Sequence, residues 1–546
     1  MRLVEIRDLD GPNILLLQPA IKVEFAISPA DLQAAALANL SARLEPLVPT
    51  DDEDDRAEGE EALGEILQAA CIGLHQRAGV DFPEMRWAPM GTEAQWSLAF
   101  GWEHRRFALA LARSLADAVT GAAFDLPATE AALRDLLRST AAEDSPGMVR
   151  DAARAIPVIA VTGTNGKTTT TRVLAHILRG TGRKVGWTST VGVFIEGECV
   201  LEGDYTGPAG AWRVLAEPGL DIAVLETARG GLLLRGMACE SNDVSVMTNV
   251  TGDHLGLHGI HTVEGLAAVK SVVLHTTRPS GWTVLNADDP LVRGQAAGLP
   301  AAIIWATQNP ENPTVVAHLA TGGTAILAEA GWLVIAEGKT RTRVLPLADI
   351  PITFGGRARH MIENVLCATG AAVALEIAPA DIAQALSTFG DTESDNVGRL
   401  HVYTVQGATI ILDYAHNEVG LTHLLQLAGS YRGEAGRLIS IIGTAGDRTD
   451  DALREIGRLA AAASDQVIVK ETRRYLRGRP GVDAMTALYV EGIRAGGDPP
   501  HLVAADEPAA LTLALEHLRP GDVVAMMCIE SGPESRARLK ALADAG

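Results

Sequence analysis

The chain has 546 residues, which is too long for one hydrophobic core, so we expect roughly two to four domains. Its 68 acidic residues outnumber 46 Lys and Arg, and the net charge of -22 disfavours nucleic acid and anionic membranes while admitting a cationic substrate. The sequence has neither a run of about eighteen apolar residues nor a signal-peptide core at its start, which predicts a cytoplasmic protein without a membrane partner.

Residues 1–150 are predicted to form a small α+β domain. A helix is expected to start at Ser28, which would cap it ahead of a proline. The leucines of this helix fall on one face: Leu37, Leu40 and Leu44. The stretch "QWSLAFGW" indicates a strand followed by a further helix, and the polar segment from Arg138 to Ala152 is typical of a linker. We find no catalytic group in these residues.

Residues 151–395 show repeated strand-then-helix units. The runs "PVIAVTG", "KVGWTST", "DIAVLETA", "DVSVMTNV" and "WTVLNAD" are short, apolar and followed by polar residues. Buried parallel strands have this pattern, and ligands gather at their carboxyl ends. From Thr314 the alternation of polar and apolar residues with glycine turns predicts an antiparallel hairpin insertion. A further α/β unit, residues 396–546, has the predicted strands "ATIILDYA", "RLISIIG", "DQVIVKE" and "GDVVAMMCI".

The segment "VTGTNGKTTTTRVLAHIL" predicts a phosphate-binding loop between a strand and a helix. Backbone amides at such a helix start face an anion, Lys167 balances the β/γ-phosphate charge, and the Thr168 hydroxyl can reach magnesium. The usual pattern has a further glycine where Val161 stands, so this is the shorter form G-T-N-G-K-T. The alternative interpretation is a tight connection without a ligand.

Polar residues follow two later strands of the same predicted sheet. Glu226 ends one strand, and "TNVTGDHLGLHG" brings Asn249, Asp253, His254 and His258 to another strand end. Carboxylate and imidazole groups beside a triphosphate suit magnesium ions during phosphoryl transfer. Glu226 could instead cap a helix, and His254 could be structural.

The blocks "GTNGKTT", "TNVTGDHLG", "AAVKSVV", "LNADDP", "GRL" and "LDYAHN" resemble the Mur ligase family of ATP-dependent amide-bond-forming enzymes. The segments "GDYTGPAGAWRVL", "AVLETARGGLLLRG", "ITFGGRARHMIENVLCA" and "GDRTDD" resemble the Mur-ligase-like half of cyanophycin synthetase. This resemblance implies an α/β, three-domain architecture: a small α+β N-terminal domain, a central P-loop parallel-sheet ATPase domain and a C-terminal Rossmann-like domain. The ATP-grasp domain of that enzyme has no counterpart here, where only the short linker around 138–155 stands in its place.

The resemblance also implies a mechanism and its residues. ATP phosphorylates a carboxylate, and an amine attacks the resulting acyl phosphate. Lys167, His254 and Lys270 would be catalytic. Thr168, Glu226, His254 and Lys270 would serve two magnesium ions, with Lys270 carbamylated; an exposed helix lysine is the alternative. The nucleotide contacts would be Gly163, Thr164, Asn165, Gly166, Lys167, Thr168, Thr169, Asn364, Arg399 and Asp413.

Substrate contacts follow less directly from the sequence. Thr190, Asp204 and Thr206 are candidates for the carboxylate acceptor. Charged residues near strand ends of the third domain are candidates for the incoming amine, with surface ion pairing as the alternative: Asp447, Arg448, Asp450, Arg477 and Arg479.

The leading hypothesis is a ligase that adds an amino acid to an aspartate-type carboxylate of a peptide or polymer. The second hypothesis is a non-catalytic ATP-binding subunit that docks a separate ATP-grasp enzyme through residues 1–150. A homo-oligomer is compatible with either hypothesis. A P-loop GTPase is disfavoured because no NKxD sequence follows the loop.

Overall fold

The computed structural model describes residues 1–48, 58–90, 94–122, 124–139, 141, 144–253 and 255–544. The strands in these residues form three sheets that follow one another along the chain. Within these ranges, no helix combines the length and the apolar character that a membrane span requires.

The first sheet is antiparallel and lies near the amino terminus. Its strands are β1 (Arg2–Leu9), β2 (Ala20–Ala26), β3 (Met85–Pro89) and β4 (Gln95–Gly101), in the order β1-β2-β4-β3. The accompanying helices are α1 (Ala34–Leu44), α2 (Gly59–Ala78), α3 (Arg105–Thr120) and α4 (Leu126–Arg138). Apolar side chains of this sheet and these helices form one core, which includes the predicted leucines of α1.

Helix α1 begins later than the sequence predicted. The backbone N–H and the hydroxyl of Ser28 both donate to Asp31, at 2.8 and 2.7 Å, and close a separate turn. The N-terminal ammonium also pairs with Asp31 at 2.6 Å. These local hydrogen bonds hold residues 28–31 outside the helix.

The second sheet is the largest. Its strands are β5 (Val158–Thr162), β6 (Val185–Ser189), β7 (Gly192–Ile195), β8 (Glu198–Glu202), β9 (Ile222–Glu226), β10 (Asn242–Met247), β11 (Thr277–Asn286), β12 (Ala302–Thr307), β13 (Thr324–Glu329), β14 (Trp332–Glu337) and β15 (Thr340–Pro346). The order is β15-β14-β13-β12-β11-β10-β5-β9-β6-β7-β8, parallel from β13 to β6 and antiparallel at both edges. Its helices are α5 (Lys167–Gly180), α6 (Pro208–Leu215), α7 (Arg229–Leu234), α8 (Val263–His275), α9 (Pro290–Gly294), α10 (Pro313–Ala320), α11 (Arg359–Ala374) and α12 (Pro379–Leu386).

The predicted hairpin insertion is correct only in part. Residues from Pro313 form α10, because Asn312 accepts a hydrogen bond from the Thr314 N–H and the proline fits the first helical turn. Strands β13 to β15 are antiparallel to one another, as predicted. However, β13 also pairs in parallel with β12, so the insertion extends the main sheet.

The third sheet comprises β16 (His401–Val405), β17 (Ala408–Asp413), β18 (Leu438–Ile442), β19 (Gln466–Lys470), β20 (His501–Ala504) and β21 (Val523–Met527), in the order β16-β17-β21-β18-β19-β20. Only the pair β16-β17 is antiparallel in this sheet. Its helices are α13 (Glu418–Tyr431), α14 (Asp450–Ala463), α15 (Val482–Ala495), α16 (Glu507–Glu516) and α17 (Gly532–Asp544). The α/β class and the three-part architecture predicted from the sequence are thereby confirmed.

The first sheet meets the central one through a close backbone contact. The Asp10 N–H donates to the Arg235 carbonyl at 2.7 Å, and the Met237 N–H donates to the Pro12 carbonyl at 2.8 Å. A Cβ on Gly11 would lie 2.0 Å from the Met237 carbonyl oxygen. Glycine is therefore required where the two parts touch.

The central and C-terminal sheets point their carboxyl strand ends at each other. A cavity of 620 Å³ lies between them and is lined by residues that follow β5, β9, β17, β18 and β21. Ligands of open α/β sheets bind at such strand ends. This cavity is the candidate active site.

Candidate active site

The loop between β5 and α5 forms one wall of the cavity. Gly163 and Gly166 both have positive φ, at 149° and 84°. A Cβ on Gly166 would lie 2.1 Å from Asn364 Oδ1, so a larger residue would displace the Asn364 side chain from its place behind the loop. The loop residues that line the cavity are Thr164, Asn165, Gly166, Lys167, Thr168 and Thr169.

Gly163 does not line the cavity. Its carbonyl accepts hydrogen bonds from two lysines that do line the cavity, Lys167 Nζ at 3.1 Å and Lys270 Nζ at 2.6 Å. Lys167 Nζ also donates to the Thr164 carbonyl at 2.9 Å. Both side-chain nitrogens therefore lie directly beside the phosphate loop.

Thr168 and Glu226 form the centre of the site. The Thr168 hydroxyl donates to Glu226 Oε1 at 3.0 Å and lies 3.3 Å from the Thr190 hydroxyl. Glu226 ends β9 and is only 2% exposed, and within the described residues its Oε2 atom has no hydrogen-bond partner. Burial raises the pKa of Glu226, and the charge of Lys167 partly opposes that rise.

These groups fit a magnesium ion. A buried ionised carboxylate oxygen without a donor is costly unless a cation pairs with it, and a threonine hydroxyl lies beside this oxygen's carboxylate. In the part of the chain that the structure describes, no three His, Cys, Asp or Glu side chains group as ligands. Magnesium commonly keeps several waters and binds through one or two carboxylates, so this sparse donor set is compatible with it.

Lys270 lies on α8 and is buried, with 3% of its surface exposed. The alternative of an exposed helix lysine is therefore wrong. Burial lowers the pKa of Lys270 well below its usual value, and the nearby cations Lys167 and Arg229 lower it further. His254, the other predicted metal contact of this region, lies outside the described residues.

His258 does not lie in the cavity of the phosphate loop. It has a left-handed backbone, with φ of 54°, and lines a separate 350 Å³ cavity against the N-terminal sheet. Asp253, in the same loop, does line the active-site cavity and pairs with Arg448 of the third domain. The sequence placed both side chains at one strand end but could not show that the loop turns between them.

The third domain reaches the phosphate loop directly. Arg399 Nη2 lies 3.5 Å from the Thr168 hydroxyl and 3.3 Å from the Thr190 hydroxyl, and its guanidinium lies 4.4 Å from the centre of the Tyr414 ring. Asp413 accepts from the Leu400 N–H at 2.8 Å, which holds the Arg399 segment in place. Burial raises the pKa of Asp413, and Arg399 opposes that rise.

Three side chains that no sequence motif indicated also line the cavity: His360, His423 and Glu363. His360 on α11 and His423 on α13 stack with ring centres 5.0 Å apart. Glu363 accepts from Asn249 Nδ2 at 3.0 Å, and Asn249 in turn accepts from the Asn165 N–H at 2.8 Å. These contacts join elements that are distant in sequence, so residue spacing alone carried no signal for them.

The predicted amine-binding residues are mostly paired with one another. Arg477 pairs with Asp447, and Arg479 donates to Asp450 at 2.6 Å. On the acceptor side, Asp204 accepts from the Thr206 hydroxyl at 2.7 Å. Asp447, Arg448 and Arg477 line the cavity, whereas Asp450 and Arg479 do not.

Comparisons with known proteins agree with this architecture. A profile of the Mur ligase middle domain matches residues 161–372, and one of the Mur ligase, glutamate ligase domain matches residues 398–528. Cyanophycin synthetase of Synechocystis sp. is 42% identical over 66% of this chain and 41% of its own length. The chain thus spans less than half of that relative.

Two further relatives extend the comparison. UDP-N-acetylmuramoyl-L-alanyl-D-glutamate--2,6-diaminopimelate ligase of Gloeobacter violaceus is 30% identical over 68% of this chain and 72% of its own length. The folylpolyglutamate synthase of Mycobacterium tuberculosis complexed with ADP has the same fold, with a TM-score of 0.54, 18% identity, and coverage of 71% of this chain and 91% of its own. The chain belongs to the Mur ligase family of ATP-dependent ligases.

Proposed function

We propose that this chain is an ATP-dependent carboxylate–amine ligase that adds an amino acid to an aspartate-type carboxylate of a peptide or polymer. The observation that carries the proposal is the buried Glu226 carboxylate beside Thr168, at a phosphate loop that Arg399 of another domain also reaches. The cyanophycin synthetase relatives support the substrate class.

The reaction has two steps. A carboxylate oxygen of the acceptor attacks the γ-phosphorus of ATP, the bond to the ADP oxygen breaks, and an acyl phosphate forms. The amine nitrogen then attacks the acyl carbon, phosphate leaves, and the nitrogen loses a proton to give the amide. Charge repulsion between the acceptor and the γ-phosphate opposes the first step, so the site has to supply positive charge.

The position of each residue in the cavity indicates which part of the reaction it would assist. Lys167, which donates to the Thr164 carbonyl, and Arg399, which lies beside the Thr168 hydroxyl, supply cationic groups to the phosphate loop. Thr168 and Glu226 would hold magnesium, which neutralises phosphate charge when bound. Asn364, packed behind Gly166, faces the cavity next to the loop and is proposed to contact the adenine. Because these groups belong to two domains, closure between the domains completes the site.

Lys270 is proposed to carry a carbamate. Its buried amine faces the charge of Lys167 and the carbonyl of Gly163, and carbamylation would turn a destabilising cation into an anion facing the metal. His254 is proposed as a contact of the second magnesium ion.

The test is ADP release by the purified chain with ATP and magnesium. Aspartate-containing peptides and polymers are offered as acceptors against a panel of amino acids and diamines. Release that requires one acceptor and one amine together establishes the ligase. A chain that binds ATP but releases ADP with no combination contradicts it, and activity gained only with a separate ATP-grasp enzyme would favour the docking-subunit hypothesis.

Two variants tie the activity to this site. Lys167→Ala is expected to abolish turnover, and Glu226→Ala is expected to lower the rate and raise the magnesium concentration required. Wild-type rates in both variants would show that the chemistry occurs elsewhere.

A further inference from the structure

A fully buried ion pair lies in the C-terminal sheet, outside the nucleotide site. Lys470 ends β19 and Glu507 begins α16, and Lys470 Nζ lies 2.5 Å from Glu507 Oε1 with both side chains 0% exposed. Gly443 leaves room for the lysine, since a Cβ there would lie 2.7 Å from Lys470 Cγ. Burying two charged groups carries a high desolvation cost. The other contacts of Lys470 and Glu507 therefore indicate the role of this ion pair.

Glu507 binds the backbone at the end of β21. Its Oε1 atom accepts from the Ile529 N–H at 2.6 Å and the Glu530 N–H at 2.9 Å, and its Oε2 atom accepts from the Ser531 N–H at 2.6 Å. Hydrogen bonds from backbone amides to a carboxylate are short and strong. Glu507 therefore holds the segment 529–531, and Ile529 in this segment lines the active-site cavity.

The same segment is joined to two neighbouring loops. The Glu530 carboxylate accepts from the Arg474 N–H at 2.7 Å, and the Tyr475 carbonyl accepts from the Gly446 N–H at 2.8 Å. These loops follow β19 and β18 and carry Tyr475, Arg477 and Asp447 into the cavity. We define the amine wall as the cavity-lining residues Ala445, Asp447, Arg448, Tyr475, Arg477 and Ile529.

A second buried carboxylate supplies a contrast on the same strand. Asp522 precedes β21 and accepts from the Arg437 N–H at 2.8 Å and the Arg519 N–H at 3.0 Å. It also pairs with Arg437 Nη2 at 2.6 Å. Asp522 resembles Glu507 in burial and in bonding to backbone, but it lies at the amino end of the strand and away from the cavity.

We propose that Glu507, neutralised by Lys470, is a positioning residue that fixes the amine wall for the incoming amino acid. The inference rests on the proposed function, because the amine subsite has meaning only in a ligase. Glu507 touches neither substrate in this assignment; it acts through the backbone of 529–531 and through the Glu530–Arg474 contact.

The first experiment does not depend on enzymatic activity. Amide hydrogen exchange is measured on the full chain for wild type, Glu507→Gln and Asp522→Asn. Glu507→Gln is expected to lose protection in 529–531 and in 474–477, whereas Asp522→Asn is expected to lose it around 437 and 519–522. Unchanged exchange in 474–477 of Glu507→Gln would overturn the proposed link, whether or not the chain is a ligase.

The second experiment separates positioning from general damage. In Glu507→Gln the KM for the amine is expected to rise about tenfold or more, since small misplacements of binding groups have large effects, while the KM for ATP stays within about threefold. Asp522→Asn is expected to leave the KM for the amine unchanged. An equal rise of the KM for the amine in Glu507→Gln and Asp522→Asn would show that Glu507 has only a structural role.

Two further variants keep the test decisive if Glu507→Gln does not fold. Glu530→Ala, at a partly exposed position, removes only the contact with Arg474 and is expected to raise the KM for the amine. The double variant Lys470→Met with Glu507→Leu replaces the charges with apolar volume and is expected to fold but to lose the same affinity. An unchanged KM for the amine in both variants contradicts the proposal.

Discussion

At the scale of single residues, the candidate active site contains several ionisable side chains whose charged forms are disfavoured by burial. Lys270 is surrounded by the cations Lys167 and Arg229, and burial raises the pKa of Glu226. Burial of such groups costs stability unless a ligand or a modification balances them, and perturbed groups of this kind cluster in functional sites.

Lys270→Met is expected to abolish the activity. Relative to the chain whose Lys270 carries no carbamate, the substitution removes a buried amine with a strongly lowered pKa while keeping an unbranched side chain, so the free energy of unfolding should rise. ADP release should fall by about a hundredfold or more if a carbamate contributes to charge stabilisation. Thermal melts and ADP assays check both effects, and partial rescue of the smaller Lys270→Ala variant by added formate or acetate would support the carbamate. An unaltered rate would contradict any role in turnover.

Glu363 gives the chain a dependence of stability on pH. Burial raises the pKa of Glu363 to about 7, above the ordinary glutamate value of 4.5. The folded state therefore binds this proton more tightly than the unfolded state between these pH values, so stability falls as pH rises from about 4.5 to about 7, by at most about 1.4 kcal/mol per pH unit.

Glu363→Gln should remove that contribution while keeping an acceptor for Asn249. Urea unfolding of both proteins at several pH values measures it. The difference between the variant and the wild type should shift in favour of the variant as pH increases, and a difference that is constant with pH would show that Glu363 does not titrate in this range.

At the scale of elements, the strand-to-helix junction at the phosphate loop explains much of the site. Strand β5 runs into α5 through two glycines with positive φ, and α11 packs so closely that Asn364 occupies the place of a Cβ on Gly166. The motif predicted this loop from the sequence. Residue spacing could not place Asn364 behind this loop, because α11 lies almost two hundred residues later in the chain; only the family resemblance named Asn364 as a nucleotide contact.

Gly166→Ala should cost about 1 to 3 kcal/mol of stability and weaken ATP binding at least about tenfold, since the new Cβ clashes with Asn364 and distorts the loop. Gly182→Ala is the matched control. Gly182 follows the same helix with a similar φ of 82°, but a Cβ there would meet nothing within 4 Å. ATP titration and thermal melts of the two variants measure the clash separately from the backbone strain. Equal ATP affinity in both variants would contradict this account.

At the scale of the whole molecule, contacts between the central and C-terminal sheets complete the cavity. Arg399 reaches the hydroxyl of Thr168, and Asn417 Nδ2 donates to Asn165 Oδ1 at 3.2 Å. Asn396 accepts from Thr169 at 3.4 Å. The boundaries predicted at 150/151 and 395/396 stay predictions.

Arg399→Ala should lower kcat by about a hundredfold with a smaller change in the KM for ATP, because it removes a cation that acts in the assembled site. Arg454→Ala removes an exposed guanidinium that pairs with Glu491 and serves as the control. Steady-state kinetics with saturating substrates check the contrast. Similar losses in the two variants would argue against a specific role of Arg399.

The sequence by itself determined the α/β class, the phosphate loop and the order of polar strand ends, because these depend on local periodicity and on residues adjacent in the chain. It also pointed to Lys270, but not to its burial. Only the tertiary structure decided that Gly163 is not among the residues that line the cavity, that His258 lines a second cavity against the N-terminal sheet, and that most of the charged candidates for the amine site pair with one another. These outcomes depend on how loops fold back between elements far apart in sequence, where side-chain pairing and close packing, rather than local propensity, set the conformation.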